Sequence, residues 1–273
     1  MSLVIEAGSS LITNFPVPYK GTWKSVAANQ LSTDTLYDSL NVYIRKGKLR
    51  ERPGLALLNS TVFDAPIIGG GMAVTPTEKV MIALNRQSLW TLTQYQTAWS
   101  FNSSTPIANN DDAIIDVAYL ETSNQYIALI ANVNYKLKQW SQGNFISDVT
   151  ASSGTVPLAK SVCIAARRVI CLIEPHTIVW SSVFDHTSWP TSAIVKIAQT
   201  NDIGICVKSL GSLSFVVYKE RSIYVARAQA GSDAGAFVIA EPLIVEGPAG
   251  IHAVLNISGL HIYMTKNGRV GTF

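Results

Sequence analysis

Short apolar runs separated by polar turns recur along most of the chain. In a typical copy, an apolar run over residues 80–84 is followed by a polar turn and a second run that ends in Trp90. Such runs of five or six residues, rich in β-branched and aromatic side chains and bounded by turn clusters, are typical of β-strands. The copies end in aromatic anchors, which are Trp90, Trp140, Trp180 and Tyr224. A fifth copy begins at Leu260, and the pattern predicts an all-β protein.

The anchors are 50, 40 and 44 residues apart, a period that favours propellers and other repeat arrays. Another apolar strand precedes each copy, at residues 70–74, 114–119, 161–165, 203–207 and 251–255. Each unit then has the strand content of a four-stranded blade, whose faces are buried only when blades stack around an axis. The sequence predicts a β-propeller of about five to six blades over residues 61–273. A β-sandwich or another β array is the alternative.

Residues 1–60 have a different pattern. An extended arm is predicted at residues 15–18, where two prolines restrict the backbone. A short helix is predicted at 36–40, and a hairpin at 41–50 with Gly47 in its turn. Because the fifth copy stops at Phe273, either the chain is a fragment or its last strand pairs with this N-terminal segment to close the ring.

Charged residues make up only 14% of the chain, against about 25% in an average globular domain. A surface with so few charges suits a protein that is partly covered by neighbouring subunits, although a rigid β protein with a polar, uncharged surface would look the same. The net charge is +3. The densest basic group is Arg45, Lys46, Lys48, Arg50 and Arg52. It predicts either contact with DNA phosphates or subunits, or simply a solvated hairpin.

Cysteine usage and hydropathy indicate a reduced, soluble protein that is assembled in a cytoplasm. Cys163, Cys171 and Cys206 are odd in number and lie in apolar runs, so buried free thiols are predicted rather than disulfides. The residues from 162 to 180 form the longest apolar stretch, but charges and a proline interrupt it. No membrane span is predicted.

The candidate catalytic and metal-binding groups are better interpreted as structural. Asp185, His186 and Ser188 lie within four residues, whereas the members of a triad usually converge from distant segments, so a turn held by Asp and Ser is predicted. Residues 109–112 lack the glycine and glutamate of a calcium loop, and the glycines at 69–71 indicate a bend or a close backbone approach. His176, His252 and His261 have no partner at a ligand-like spacing. Neither an enzyme nor a cofactor is predicted.

Three phrases together resemble the β-propellers of short-tailed phage tails. The first runs from Asn41-Val42 through Gly47 to Arg52-Pro53-Gly54, and the second spans residues 180–190 and ends in Trp189-Pro190. The third joins residues 219–224 with Gly247-Pro-Ala-Gly250 and Asn267-Gly268. These phrases follow in the order expected for that family, which is the family of tail nozzles or tail tubular hubs.

The resemblance implies a structural virion protein that forms a ring, commonly six-fold, beneath the portal and adaptor. Double-stranded DNA would pass through the ring with non-specific contacts, and fibres or spikes would dock outside. Asn41, Arg52, Pro53, Gly54, Trp189 and Pro190 would then be structural motif residues, and no catalytic role is implied. The alternatives are a carbohydrate-binding or glycosidase-type propeller, which would expose its tryptophans beside carboxylates, and a monomeric cellular scaffold.

Overall fold

The computed structural model describes most of the chain from residue 63 onward and a short hairpin before it. The described residues are 42–45, 48–51, 63–74, 79–93, 98–104, 113–120, 125–133, 135–141, 146–197, 202–231, 233–257 and 259–273. The chain divides into two units, Met1–Leu57 and Leu58–Phe273. In the described part, no helix has the length and apolarity that a membrane span requires.

The first unit contains an antiparallel hairpin of β1 (Val42–Arg45) and β2 (Lys48–Glu51). Arg45 pairs with Lys48, and Tyr43 pairs with Arg50. The predicted hairpin is therefore confirmed. The extended arm at 15–18 and the helix at 36–40 lie outside the described residues.

The second unit contains five successive antiparallel sheets, here called blades 1 to 5. Blade 1 contains β3 (Ile67–Val74), β4 (Lys79–Asn85), β5 (Ser88–Thr93) and β6 (Ser100–Ser104). Blade 2 contains β7 (Ala113–Leu120), β8 (Gln125–Asn132), β9 (Lys138–Ser141) and β10 (Ser147–Asp148). A two-stranded parallel pair, β11 (Ser153–Gly154) with β15 (Ser188–Trp189), accompanies blade 3. Blade 3 contains β12 (Ser161–Ala165), β13 (Arg168–Ile173), β14 (Thr177–Trp180) and β16 (Ile194–Lys196).

The last two blades follow the same order of strands. Blade 4 contains β17 (Gly204–Leu210), β18 (Ser214–Lys219), β19 (Ile223–Ala228) and β20 (Phe237–Ile239), with a 3₁₀ turn at Asp233–Gly235. Blade 5 contains β21 (Val254–Ile257), β22 (Leu260–Met264) and β23 (Val270–Thr272). The first strand of each blade contacts the first strand of the next, in the order β3, β7, β12, β17, β21. The unit is an all-β propeller arrangement of five blades, as the repeat predicted.

Four apolar clusters lie between neighbouring blades. One packs Ile82 and Leu84 of blade 1 against Ile130 and Trp140 of blade 2. The others lie between blades 2 and 3, 3 and 4, and 4 and 5. Blades 2, 3 and 4 are therefore buried on both faces, which explains why their second strands are apolar at nearly every position rather than at alternate positions.

The predicted anchors lie on the third strand of their blades. Trp140, Trp180 and Tyr224 are buried in the clusters between sheets, as expected. Trp90 is half-buried and meets Phe63 and Phe101 in edge-to-face contacts, with ring centroids 5.5 Å apart. The anchor pattern is confirmed, although Trp90 in blade 1 is less buried than the other three anchors.

The glycines at 69–71 allow the first strands of blades 1 and 2 to approach closely. A Cβ added to Gly69 would lie 2.5 Å from the carbonyl oxygen of Ala113, which is inside van der Waals contact. The pairing of β3 with β4 also shifts its register between Ile67 and Gly69. The predicted close backbone approach is confirmed, and it allows β3 and β7 to pack side by side.

Replacing Gly69 with alanine is expected to destabilise the second unit by about 1–3 kcal/mol, because the methyl group would push the two strands apart. Urea unfolding of the purified chain would measure this change. Gly250→Ala is the matched control, since a Cβ there meets nothing within 4 Å. Equal stability of the Gly69 and Gly250 variants would contradict the role given to this close approach.

Candidate functional site

The segment that connects β14 to β16 carries the polar residues that the sequence singled out. We call residues 181–190 the Trp-Pro loop, after its last two residues, Trp189 and Pro190. The loop contains β15, which pairs in parallel with β11. Gly154 of β11 has φ +71°, and an added Cβ would overlap the carbonyl oxygen of Trp189. Glycine at this position therefore lets the loop lie directly against β11.

Asp185 and two serines hold the loop in its turn conformation. Asp185 Oδ1 accepts hydrogen bonds from the backbone N–H of Thr187 at 2.8 Å and from its hydroxyl at 2.6 Å. The N–H of Ser182 donates to the carbonyl oxygen of Ser188 at 2.9 Å. Burial raises the pKa of Asp185, but hydrogen bonds from Thr187 and Ser188 and the nearby His186 together outweigh it, so the net pKa is lowered. The predicted turn is confirmed.

His186 and Ser188 form hydrogen bonds with different partners rather than with each other. His186 Nε2 lies 2.6 Å from Gln139 Oε1 on β9 of blade 2. Ser188 Oγ lies 3.0 Å from Ser182 Oγ. Burial lowers the pKa of His186, and the nearby Asp185 opposes this effect only in part. A base aligned on a serine nucleophile needs a direct hydrogen bond between the two, and this arrangement does not provide it.

Asp233, in the 3₁₀ turn of blade 4, connects that blade to blade 3. Its carboxylate accepts hydrogen bonds from Arg168 Nη1 at 2.5 Å and from Ser182 Oγ at 2.8 Å. Its carbonyl oxygen accepts a hydrogen bond from Trp180 Nε1 at 2.6 Å. Arg168 also donates to the carbonyl oxygen of Ser181. Together with the His186–Gln139 contact, these bonds make the Trp-Pro loop a structural connection among blades 2, 3 and 4.

An apolar cavity of about 440 Å³ lies beside the Trp-Pro loop. Its walls come from β14, the loop, the start of β16 and the segment after β11. Trp189 lines the cavity and is 4% exposed, and its Nε1 has no hydrogen-bond acceptor among the described residues. A buried donor without an acceptor costs about 1–3 kcal/mol. This N–H is itself buried, so the cost falls on the packing of Trp189 beside the cavity.

The predicted DNA or subunit contacts lie only partly within the described residues. Arg45, Lys48 and Arg50 are on the hairpin of the first unit, where Arg45 pairs with Lys48 and Arg50 pairs with Tyr43. Lys46 and Arg52 lie outside the described residues, as do the motif residues Asn41, Pro53 and Gly54. Of the predicted motif residues, Trp189 and Pro190 are described, and both line the cavity.

The histidines and cysteines have structural surroundings. His261 is buried on β22, where its ring nitrogens lie 2.8 Å from the Tyr218 hydroxyl and the Ser209 carbonyl oxygen. His176 and His252 lie in turns, as predicted. The three cysteines are buried and unbridged, and burial raises the pKa of Cys206 to about 12. Such thiols are poor nucleophiles.

Metal-binding candidates give no site within the described part of the chain. No group of three or more His, Cys, Asp or Glu side chains is placed there to hold a metal ion. The acidic run at 109–112 lies outside the described residues.

Sequence reasoning missed Asp233, Arg168 and Gln139. Arg168 and Asp233 are 65 residues apart, and Gln139 and His186 are 47 residues apart. None of the three belongs to a local motif. Only the position of Asp233 just before the apolar residues 236–239 offered a signal, and that signal indicates a turn rather than a partner.

Comparisons with known proteins identify no family for this chain. No family model matches it, and no curated protein matches it. Among solved structures, it is similar to BBS1N in complex with ARL6DN in crystals soaked with lead, at 12% identity and a TM-score of 0.49, over 82% of this chain and 67% of that one. The mercury-soaked crystal of the same complex matches at 10% identity and a TM-score of 0.48, over 74% of this chain and 63% of that one.

A third similar structure is the C-terminal WD40 domain of Sif2, at 12% identity and a TM-score of 0.47, over 76% of this chain and 57% of that one. The chain thus spans between 57% and 67% of the length of these structures. Since every score lies below 0.5, the propeller assignment rests on the chain's own sheets and not on these similarities.

Asp233→Ala is expected to lower the free energy of unfolding by about 1–3 kcal/mol, because Arg168 and Ser182 both lose an acceptor. Thermal or urea unfolding at pH 7 would measure it. Asp148→Asn is the control, since the Lys138–Asp148 pair is at the surface and is expected to contribute at most about 1 kcal/mol. An equal loss in both variants would contradict the connection between blades 3 and 4.

The same carboxylate is expected to make stability depend on acid pH. Burial raises the pKa of Asp233, but hydrogen bonds from Ser182 and Arg168 outweigh it, so the folded-state pKa is lowered. The resulting stabilisation is complete above the unfolded pKa of about 3.9 and disappears as pH falls through the lower folded value. The gap in Tm between wild type and Asp233→Asn should therefore narrow from pH 7 to about pH 3. A difference in Tm that widens in acid would show that the predicted direction of the pH dependence is wrong.

Proposed function

We propose that this chain is a structural subunit of the tail nozzle, or head-to-tail hub, of a short-tailed phage. In this proposal, copies assemble within the virion into a ring, which is commonly six-fold in the phage family that the three phrases resemble. DNA passes through the ring, the portal or adaptor lies above it, and fibres or spikes dock outside. The proposal starts from the three phrases that resemble this family, and the structure adds support from the roles of their residues and from surfaces that suit association.

The Trp-Pro loop supports a structural role. Its polar side chains form hydrogen bonds within the loop and to Gln139 and Asp233 of the neighbouring blades. A segment with these contacts stabilises the packing of blades and leaves no nucleophile and base in contact. This is the behaviour expected of a motif that a family of structural proteins retains for its fold.

The observation that carries the proposal is the apolar outer face of blade 5. On this sheet, Leu255 pairs with Ile262, Ile257 pairs with Leu260, and Met264 pairs with Val270, so these residues share one face. Apart from the partly buried Ile262, they are between 47% and 70% exposed. Contiguous apolar patches on monomers are usually small, and larger ones mark interaction sites. In the proposed ring, a neighbouring subunit covers this face.

Blade 1 offers a second apolar surface at the opposite end of the array of blades. Met72, Met81 and Phe101 are each at least 41% exposed. Two different apolar surfaces at opposite ends of the array suit a heterologous contact, in which one subunit's surface meets a different surface of the next. Contacts of this kind generate rings when the rotation between subunits closes.

The basic hairpin suits a weak, non-specific contact with DNA. In this short hairpin Arg45 pairs with Lys48, and Arg50 lies two residues further along the second strand. Each phosphate that such residues neutralise releases counterions, so the binding is strong at low salt and falls steeply as salt rises. A few cations, rather than a densely basic surface, would let DNA move past.

The carbohydrate-binding alternative has less support in the described residues. Trp140 and Trp180 are 4% and 2% exposed, and their indole N–H groups already donate to Asn102 and to Asp233. A sugar ring stacks on an exposed aromatic face, which neither residue offers. The third predicted tryptophan, Trp90, is half-buried and already contacts the rings of Phe63 and Phe101. We therefore do not pursue a second function.

The purified full chain is expected to form a ring of several 29.5 kDa copies. Light scattering would give the mass, and negative-stain particle imaging would show whether the ring has an axial opening wide enough for duplex DNA. A chain that stays monomeric at high concentration, and that shows no ring in images, would overturn the proposal.

The double variant Leu260→Ser, Met264→Ser tests the surface that carries the proposal. It should shift the protein towards monomer and weaken association by at least about tenfold, because two apolar side chains are lost from the contact. Leu213→Ser is the matched control, since Leu213 is 62% exposed in the turn between β17 and β18, away from this face. Circular dichroism would confirm that both proteins fold. Association that resists the double variant would place the contact elsewhere.

A further inference from the structure

The outer edge of blade 3 is an open β-strand beside the Trp-Pro cavity. β16 pairs with β14 on one side, and within the described residues its other side has no pairing strand. The N–H of Trp180 donates to Ala193 O, and the N–H of Ile197 donates to His176 O. In an antiparallel ladder, bonded and non-bonded pairs alternate, so Val195 is bonded to β14 while the backbone groups of Ile194 and Lys196 face outward.

The cavity opens next to these outward-facing groups. Ile194 lines the cavity and is 46% exposed, and Leu158 lies on another wall at 50% exposure. Deeper in, the cavity is lined by the buried residues Trp180, Trp189 and Ala193. The result is a pocket with an apolar interior and an accessible apolar rim at the edge of a sheet.

We propose that β16 and this cavity form a binding site for an extended segment of a partner protein. The segment adds as a strand to the β16 edge, with its backbone bonded to Ile194 and Lys196. One large apolar side chain of the segment enters the cavity. This site is independent of the proposed ring, because it uses blade 3 and none of the exposed residues of blades 1 and 5.

The open edge favours a peptide strand over a small apolar molecule. Strand addition takes its affinity from main-chain hydrogen bonds and its specificity from pockets for side chains, and both elements adjoin each other here. A small hydrocarbon would fill the cavity but would leave the outward backbone groups of Ile194 and Lys196 unused.

The probes for this site are blocked pentapeptides, acetyl-Thr-Thr-Xaa-Thr-Thr-amide, in which Xaa is Leu, Phe, Trp or Ala. The full chain, labelled with ¹⁵N at its tryptophans, would be titrated with each peptide, and Trp189→Phe would identify the Nε1–H signal of Trp189. At least one of the Leu, Phe and Trp peptides should bind and shift this signal, because Trp189 lines the cavity that the side chain would fill. The Ala peptide should bind at least about tenfold more weakly.

A pair of variants at one position separates the backbone contribution from the side-chain contribution. Ile194→Pro removes the outward N–H, at an edge position where proline leaves the bonds to β14 intact. Ile194→Thr keeps the N–H and loses only apolar contact. Proline should weaken binding at least about tenfold more than threonine does. An incoming strand would lose a hydrogen bond and would clash with the pyrrolidine ring of the proline. A peptide with N-methylated backbone amides should fail to bind the wild-type protein. If the proline variant does not fold, this peptide tests the backbone contribution instead.

The outcomes decide between the occupants. If none of the three large apolar peptides shifts the Trp189 signal at millimolar concentration, the site does not bind extended peptides and the proposal is overturned. If N-methylated and unmethylated peptides bind equally, or if acetyl-leucine amide alone binds as well as the pentapeptide, the cavity takes small apolar groups and strand addition is wrong. None of these results would alter the mass of the proposed ring.

Discussion

Contact between neighbouring blades is the constraint on which the rest of the second unit depends. A small β-sheet with two apolar faces is stable only when both faces are covered. The close approach at Gly69 lets blades 1 and 2 meet along their first strands, and Trp140 fills the space between the same two sheets. Because four such contacts follow one another along the chain, each blade stabilises the next, and loss of one contact exposes two sheets.

Polar contacts between blades determine the relative orientation of the sheets that the apolar clusters pack together. Asp233 joins blade 4 to Arg168 and Ser182 of blade 3. A second buried pair has Lys219 Nζ 3.8 Å from Asp202 Oδ2, with Lys219 also donating to the carbonyl oxygen of Ile197. Apolar burial has no preferred direction, whereas hydrogen bonds of this kind are satisfied in only one arrangement. They therefore specify the orientation of the sheets more than they add to stability.

The sequence predicted the strand order because each blade repeats an apolar run, a turn and an aromatic anchor. Residues 161–165 form a strand with the bounds that were predicted, and the strand predicted to begin at Leu260 does begin there. The first strand of blade 1 is longer than expected, since its glycines have no side-chain pattern. The outer strands β10, β16 and β20 have two or three residues and therefore no readable period. The contacts of Asp233 with Arg168 and Ser182 could not be predicted, because these residues are far apart in sequence and meet only in the folded chain.

The two binding surfaces proposed above, the face of blade 5 and the edge of β16, suit partners of different shape. The outer face of blade 5 offers apolar side chains from three strands, so only another apolar surface of similar extent can cover it, as a subunit would. The edge of β16 offers the backbone groups of Ile194 and Lys196 beside one cavity, which suits a narrow, extended segment. In the proposed hub, the face of blade 5 would serve the contact between subunits, and the edge of β16 would serve an attachment outside the ring.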